Sequence, residues 1–268
     1  MWDALIITPF INVLLVIYQY PAFGSFGIAI ILFTLLIRVV THPLTVKQIK
    51  GTQALQDMQK DKRWIEAQEK YKKDKEKLSQ EQMKLYKEKG ISPFSSCLPT
   101  LIQFPIIIGL YQSLIQTMAN TPIELFNLTR HIQLPFLDAA KIIPLNSTFL
   151  WMDLGQPERL NLPFLSFGIP VLAILVVITT YMQSKLMQPP STGKKDQAGM
   201  MGSMMNIYMP FLMGWLALTL ASGLSLYFFV SNIIAILQYA MLGKVNWRNL
   251  LPSRKPALDI MGKPVDSK

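Results

Sequence analysis

One arginine stands where a charge is expensive. Arg38 lies near the end of an apolar run of eighteen residues, 23–40 (FGSFGIAIILFTLLIRVV). A helix of ~20 apolar residues crosses a bilayer core. An arginine at that depth costs at least ~2.5–3.5 kcal/mol unless protein or water receives it. Thr34, Arg38 and Thr41 follow at i, i+4 and i+7 and share one helix face, with Gly27 close to the same line. A guanidinium placed there does one of two things. It snorkels to the headgroups, or it serves a hydrated recess in which it attracts anions.

Other apolar runs also carry polar residues. Ser96, Thr100 and Gln103 share a face in one run. Thr179, Thr180 and Gln183 lie in another, Asn206 in a third, and Ser231 and Asn232 in the last. Water needs polar walls to enter a bilayer, so such residues line a wet recess or bond helix to helix. Gln112, Ser113 and Gln116 form a separate polar group.

Several chemistries are absent from the sequence. There is no phosphate-binding Gly-Lys-Ser/Thr loop, no G-x-S-x-G elbow and no H-E-x-x-H pair. A single cysteine, Cys97, excludes a disulfide within the chain and a cysteine-based zinc cage. The expectation is a non-enzyme with no cofactor and no metal. No apolar run holds a carboxylate, which argues against a proton-coupled transporter. His42 and His131 fall on opposite sides of the membrane in the topology below.

The elements that position these residues follow from composition. The 268 residues are 51% hydrophobic with a net charge of +10, and the mean hydropathy is positive. Several runs of spanning length mark an all-α polytopic membrane protein. The basic balance reads as topology, not as nucleic-acid binding. Residues 1–20 are apolar but broken by Thr8, Pro9 and Asn12, which predicts an extra-cytoplasmic interfacial helix anchored by Trp2, Tyr18 and Tyr20. Residues 21–242 form the core. Within it, 45–90 holds thirteen Lys/Arg and eight Asp/Glu, with no Pro or Gly between 52 and 89, and predicts a helical hairpin turning near 61–63. Trp64, Tyr71, Leu78 and Leu85 recur every seven residues as a thin seam.

The remaining spans are 93–118, 162–187, one beginning near 200, and 224–242. Residues 243–268, basic and rich in proline, read as a disordered tail. The hairpin, the 185–203 stretch and the tail hold thirteen, three and six basic residues, against three in 119–161. The positive-inside rule then gives five spans, N-terminus outside and C-terminus cytoplasmic. In that frame most polar span residues fall in the cytoplasmic half. This predicts a hydrophilic groove open to the cytoplasm and closed outside. Seven methionines between 182 and 209 lie at its cytoplasmic rim, where flexible thioethers suit varied apolar segments.

Three stretches resemble the YidC family of membrane protein insertases: LLIRVVTHPLTVKQIKGTQALQDMQ, LSQEQMKLYKEKGISPFSSCLPTLIQFPIIIGLY and SGLSLYFFVSNIIAILQ. The resemblance runs from the first span to the end of the fifth. It implies five spans around a groove whose arginine is Arg38, with Thr34 and Gln103 lining it and Tyr227 and Phe228 on the substrate path. Phe228 stands where the family often has a second tyrosine. Asn232 completes the candidate set from the polar pattern. The implied substrates are newly made membrane proteins with hydrophobic spans and short acidic tails. The implied partners are the ribosome, a Sec translocon and the lipid bilayer, and the setting is the bacterial plasma membrane. The resemblance is to a short bacterial form, without the large extra-cytoplasmic domain of some members. A small channel or transporter with a cationic recess is the alternative.

Overall fold

The computed structural model describes residues 2–59, 61–71, 74–90, 98–118, 121–132, 134, 137, 145–160, 168–187, 197–243 and 245. Among them, a π-helical turn (Asp3–Ile7) leads into α1 (Thr8–Gln19). Then come α2 (Phe26–Val40), α3 (His42–Gln59), α4 (Lys62–Lys70) and α5 (Lys75–Glu88). α6 (Leu98–Thr117) and α7 (Pro122–His131) precede a two-stranded hairpin, β1 (Thr148–Phe149) and β2 (Met152–Asp153). The chain closes with α8 (Val171–Met187), α9 (Gln197–Thr219) and α10 (Ser222–Met241). Expectations resting on Ser96, Cys97, the side chains of Thr100 and Asn206, the methionines at 200–205 and the tail beyond 245 fall outside the described residues.

The five runs expected as spans fold as α2, α6, α8, α9 and α10. By length and composition α10 alone qualifies to cross a membrane among the described residues. α2 passes only together with the start of α3, a pair bent by 60°. The bend has a local cause. Pro43 has no N–H to bond the Val39 carbonyl, and its ring clashes with a continuing helix, so α2 stops at Thr41 and α3 starts afresh.

α10 is the central helix. It packs on α2, α6 and α8, while α8 packs on α9 and α2 packs on α1. Gly214 of α9 lets the two outer helices approach, because the Val177 side chain of α8 occupies the space a Cβ would need. The segment expected at the interface is helical, and its apolar face is used inside the bundle. Ile11, Leu14 and Leu15 are fully buried. α1 runs back along α2, with Phe10 against Phe33 and Tyr18 against Phe26, ring centroids 5.3 and 6.0 Å apart.

Side chains are distributed as they would be in an apolar solvent. Outward positions repeat at helical spacing with large apolar residues: Phe104 and Ile108, Ile174 and Ile178, Phe211 and Trp215. Buried positions include Thr34, Ser113, Thr117, Ser225 and Ser231.

The charged segment differs from a simple two-armed hairpin. The break near Asp61 is present, with Asp61 capping α4 through the Arg63 N–H at 3.0 Å. The expected second arm is two helices, α4 ending at Lys70 and α5 starting at Lys75. These two pair antiparallel, joined by Arg63–Glu88 at 3.5 Å and by Lys89–Asp61. Met58, Trp64 and Leu85 form a small buried cluster with Tyr86, separate from the bundle core. The seven-residue seam does not run through as one stripe, because no continuous helix carries it: Tyr71 caps the end of α4, and Leu78 is half-buried on α5.

Candidate functional site

Ser222, Ser225, Tyr227, Ser231, Asn232 and Gln238 lie along α10. Tyr227, Ser231 and Gln238, at i, i+4 and i+11, share one face, which meets α2 and α6. Asn232 sits about 100° further round and meets α8.

On the first face the structure joins three helices through polar side chains. Arg38 of α2 donates from Nε to Ser231 Oγ at 3.1 Å, and Nη2 donates to the same oxygen. Gln103 of α6 donates from Nε2 to the Tyr227 hydroxyl at 2.6 Å. That hydroxyl lies beside Ser231 and within the field of the Arg38 guanidinium. Gln238 donates to the Arg38 carbonyl at 3.4 Å and lies 3.4 Å from His42 Nδ1. That carbonyl is available because the helix breaks before His42 can continue it normally.

The electrostatics of Arg38 are unusual. It is half-buried, yet no carboxylate among the described residues lies in ion-pair range of it. Among the described residues its protein acceptor is one neutral hydroxyl oxygen, which takes two of its five N–H donors. With none of its other donors bonded to a described residue, the guanidinium can offer them to water or an anionic visitor.

The other expected residues take different places. Thr34 is fully buried, one turn from Arg38, and its hydroxyl donates back to the Ile30 carbonyl at 2.7 Å. It lies in the packed wall and offers no free hydroxyl. Phe228 is buried beside Tyr227, with ring centroids 5.8 Å apart, and belongs to the apolar core. Asn232 donates to Thr179 at 3.2 Å and Thr180 at 2.8 Å, a clasp between α10 and α8 on the side away from Arg38.

Two features escape the sequence reading. Ser231 is visible there only as one polar residue among many, and Gln238 is passed over. Their spacing from Tyr227 was the available signal. The second is Glu158, a buried carboxylate in the loop before α8. It accepts from the Leu172 N–H at 3.0 Å and from Trp151 Nε1 at 2.8 Å. A carboxylate at a helix N-terminus is stabilised by the unpaired N–H groups there. Nearby, the Leu154 and Gln156 carbonyls accept the Gly223 and Ser222 N–H groups at the start of α10. One loop thus holds the starts of α8 and α10 together, at the end of α10 away from Gln238.

An apolar-coated helical bundle with a polar, cation-bearing seam inside defines a membrane protein. The chain belongs to the family described as the 60Kd inner membrane protein, whose model matches residues 18–248. It is 34% identical over 242 residues to the membrane protein insertase YidC of Syntrophobacter fumaroxidans, a match covering 88% of this chain and 37% of that protein. It is 33% identical over 229 residues to membrane protein insertase YidC 2 of Bacillus anthracis, covering 84% and 74%. The chloroplast inner membrane protein PPF-1 of pea is 29% identical, over 88% of this chain and 51% of its own. Among solved structures, an active YidC insertase with its first transmembrane domain resolved superposes with a TM-score of 0.53 at 24% identity, over 89% of this chain and 46% of that one, a likeness of fold. The chain therefore spans well under half the length of some relatives and about three quarters of another.

Proposed function

We infer that this protein inserts newly made proteins into the bacterial plasma membrane, through a groove whose working charge is Arg38. The observation that carries this reading is a half-buried guanidinium with a neutral partner and no counter-ion among the described residues, inside a bundle coated with apolar side chains. The names of the relatives support the same activity.

The mechanism follows from charge and solvation. A substrate's short acidic tail enters from the cytoplasmic side, and a carboxylate pairs with Arg38. A partnered and hydrated charge crosses the first half of the bilayer at lower cost than a bare one. A potential positive outside then favours outward movement by ~2.3 kcal/mol for each negative charge per 100 mV. Tyr227 and Gln103 form the far wall of the path, and the substrate's apolar helix leaves sideways into lipid, driven by burial of its surface. No nucleotide enters this scheme.

In this reading α2, α6, α8, α9 and α10 are five spans, with the N-terminus outside and the C-terminus in the cytoplasm. The alternation of apolar outward and polar inward residues supports it. The α3–α5 segment is the cytoplasmic element that first meets the substrate, with the ribosome and the Sec translocon as further partners. Reconstitution tests the whole. A newly made single-span protein should become protease-protected in liposomes only when this protein is present. Protection without it would refute the insertase reading, and ion or solute flux with no protection would favour a channel or transporter with a cationic recess.

A further inference from the structure

Large apolar side chains rarely adopt a left-handed backbone, because Cβ then crowds the following carbonyl. Two do so among the described residues, Phe23 at φ 50° and Leu150 at φ 57°. Both are tips of turns, Phe23 between α1 and α2 and Leu150 between β1 and β2, and they are 91% and 74% exposed. Each position breaks two local rules at once, conformational and hydrophobic. Such outliers persist where a function selects them.

The two turns belong to segments that pack on each other. The Phe149 ring sits where a Cβ on Gly27 would be, in the first turn of α2 that directly follows the Phe23 turn. The Asn146 N–H donates to the Tyr18 hydroxyl at 3.1 Å, tying the segment before the strand hairpin to the last turn of α1. Trp151 beside Leu150 is half exposed, with its indole N–H already bonded to Glu158. Its ring can therefore enter an apolar phase without carrying an unpaired donor. Residues 20–25 and 147–152 contain no charge. The apolar surface also continues from Phe23 down the outward face of α2, through Ile28 to Leu35, the face assigned here to lipid.

We propose that Phe23, Leu150 and Trp151 form a wedge seated in the outer-leaflet interface of the bilayer, an anchor for the outer end of α2. Its occupant is the headgroup–acyl boundary, where aromatic and aliphatic side chains anchor membrane helices. The exposed tips are then not exposed in place, and the left-handed turns are what aims them outward.

Spin labels test this. In a Cys97→Ser background, Phe23→Cys and Leu150→Cys are labelled and reconstituted into phosphatidylethanolamine–phosphatidylglycerol vesicles. Both labels should relax more with oxygen than with an aqueous nickel chelate, and less deeply than a label at Leu36→Cys. Chelate accessibility equal to that of a label at Ser79→Cys, or shielding from both relaxants by a protein contact, would overturn the proposal. In a second arm, Phe23→Ser with Leu150→Ser should shift a label at Ile28→Cys towards higher chelate accessibility. An unchanged Ile28 label would refute the anchor. Neither arm depends on insertion activity, so a failed insertion assay and a failed wedge are separable.

Discussion

Arg38 owes its character to what does not surround it. The Ser231 hydroxyl steadies the guanidinium, and no described carboxylate compensates its charge. Arg38→Lys should therefore keep most insertion of acidic-tailed substrates, since a point charge still attracts a carboxylate. Arg38→Ala should lose most of it while sparing neutral-tailed substrates, as protease protection in liposomes would show. The fold should lose no more than about 1 kcal/mol, because the two hydrogen bonds removed share one neutral oxygen, no anion among the described residues is orphaned, and taking a charge out of the bundle offsets their loss. Equal insertion of acidic tails by wild type and Arg38→Ala would end the charge mechanism. Thr34 makes a contrasting case. Its hydroxyl is fully buried and bonded to its own helix, so Thr34→Val should leave insertion unchanged and shift stability by less than about 1 kcal/mol. A strong insertion defect in that variant would mean that the hydroxyl turns into the path.

Among the elements, the α4–α5 pair is the most independent. Its small cluster around Trp64 is separate from the bundle core, and its ends are fastened by exposed ion pairs. Excising residues 61–89 should therefore impair insertion and leave the thermal transition of the remaining bundle nearly unchanged. A collapse of the detergent-solubilised fold would show that the pair is structural. The fastening also has a pH signature. The Lys89 ammonium, followed by the Arg63 backbone N–H, holds the Asp61 carboxyl below the ordinary carboxylate range, and the Lys77 N–H does the same for Asp74 at the cap of α5. A carboxylate with a lowered folded-state pKa stabilises fully above its unfolded value, ~3.9, and that contribution is lost as pH falls further. Trp64 fluorescence should thus stay constant from neutral pH to about 4 and change below it. In Asp61→Asn the acid-induced change should shrink.

For the whole molecule, the arrangement in the bilayer is the quantity to measure. In a Cys97→Ser background, cysteines at Ser79 and Ser267 should react with an impermeant reagent only from the cytoplasmic side, and one at Ser147 only from outside. External labelling at Ser79 would invert the groove and remove the argument for its cytoplasmic opening. The loop that fastens α8 and α10 belongs to this scale as well, since Glu158 and the Leu154 and Gln156 carbonyls close one end of the bundle. The Arg38–Ser231 contact lies further along α10, held by side-chain bonds alone.

Local rules made much of this legible in the sequence. Apolar runs, helical spacing and the unequal spread of lysine and arginine depend on residues near one another in the chain, and they gave the helices, the charged segment and Arg38 as the residue to watch. The partners of Arg38 could not be read that way. Ser231 is 193 positions distant and Gln103 meets Tyr227 across 124, so packing alone sets those contacts. The same holds for the burial of Thr34 and for Asn232 turning towards α8. A helical wheel fixes which residues share a face, but the neighbour that face meets depends on how every helix packs. The division of the second arm into α4 and α5 and the packing of α1 along α2 also rest on contacts between segments, where small apolar surfaces compete and the closest fit prevails.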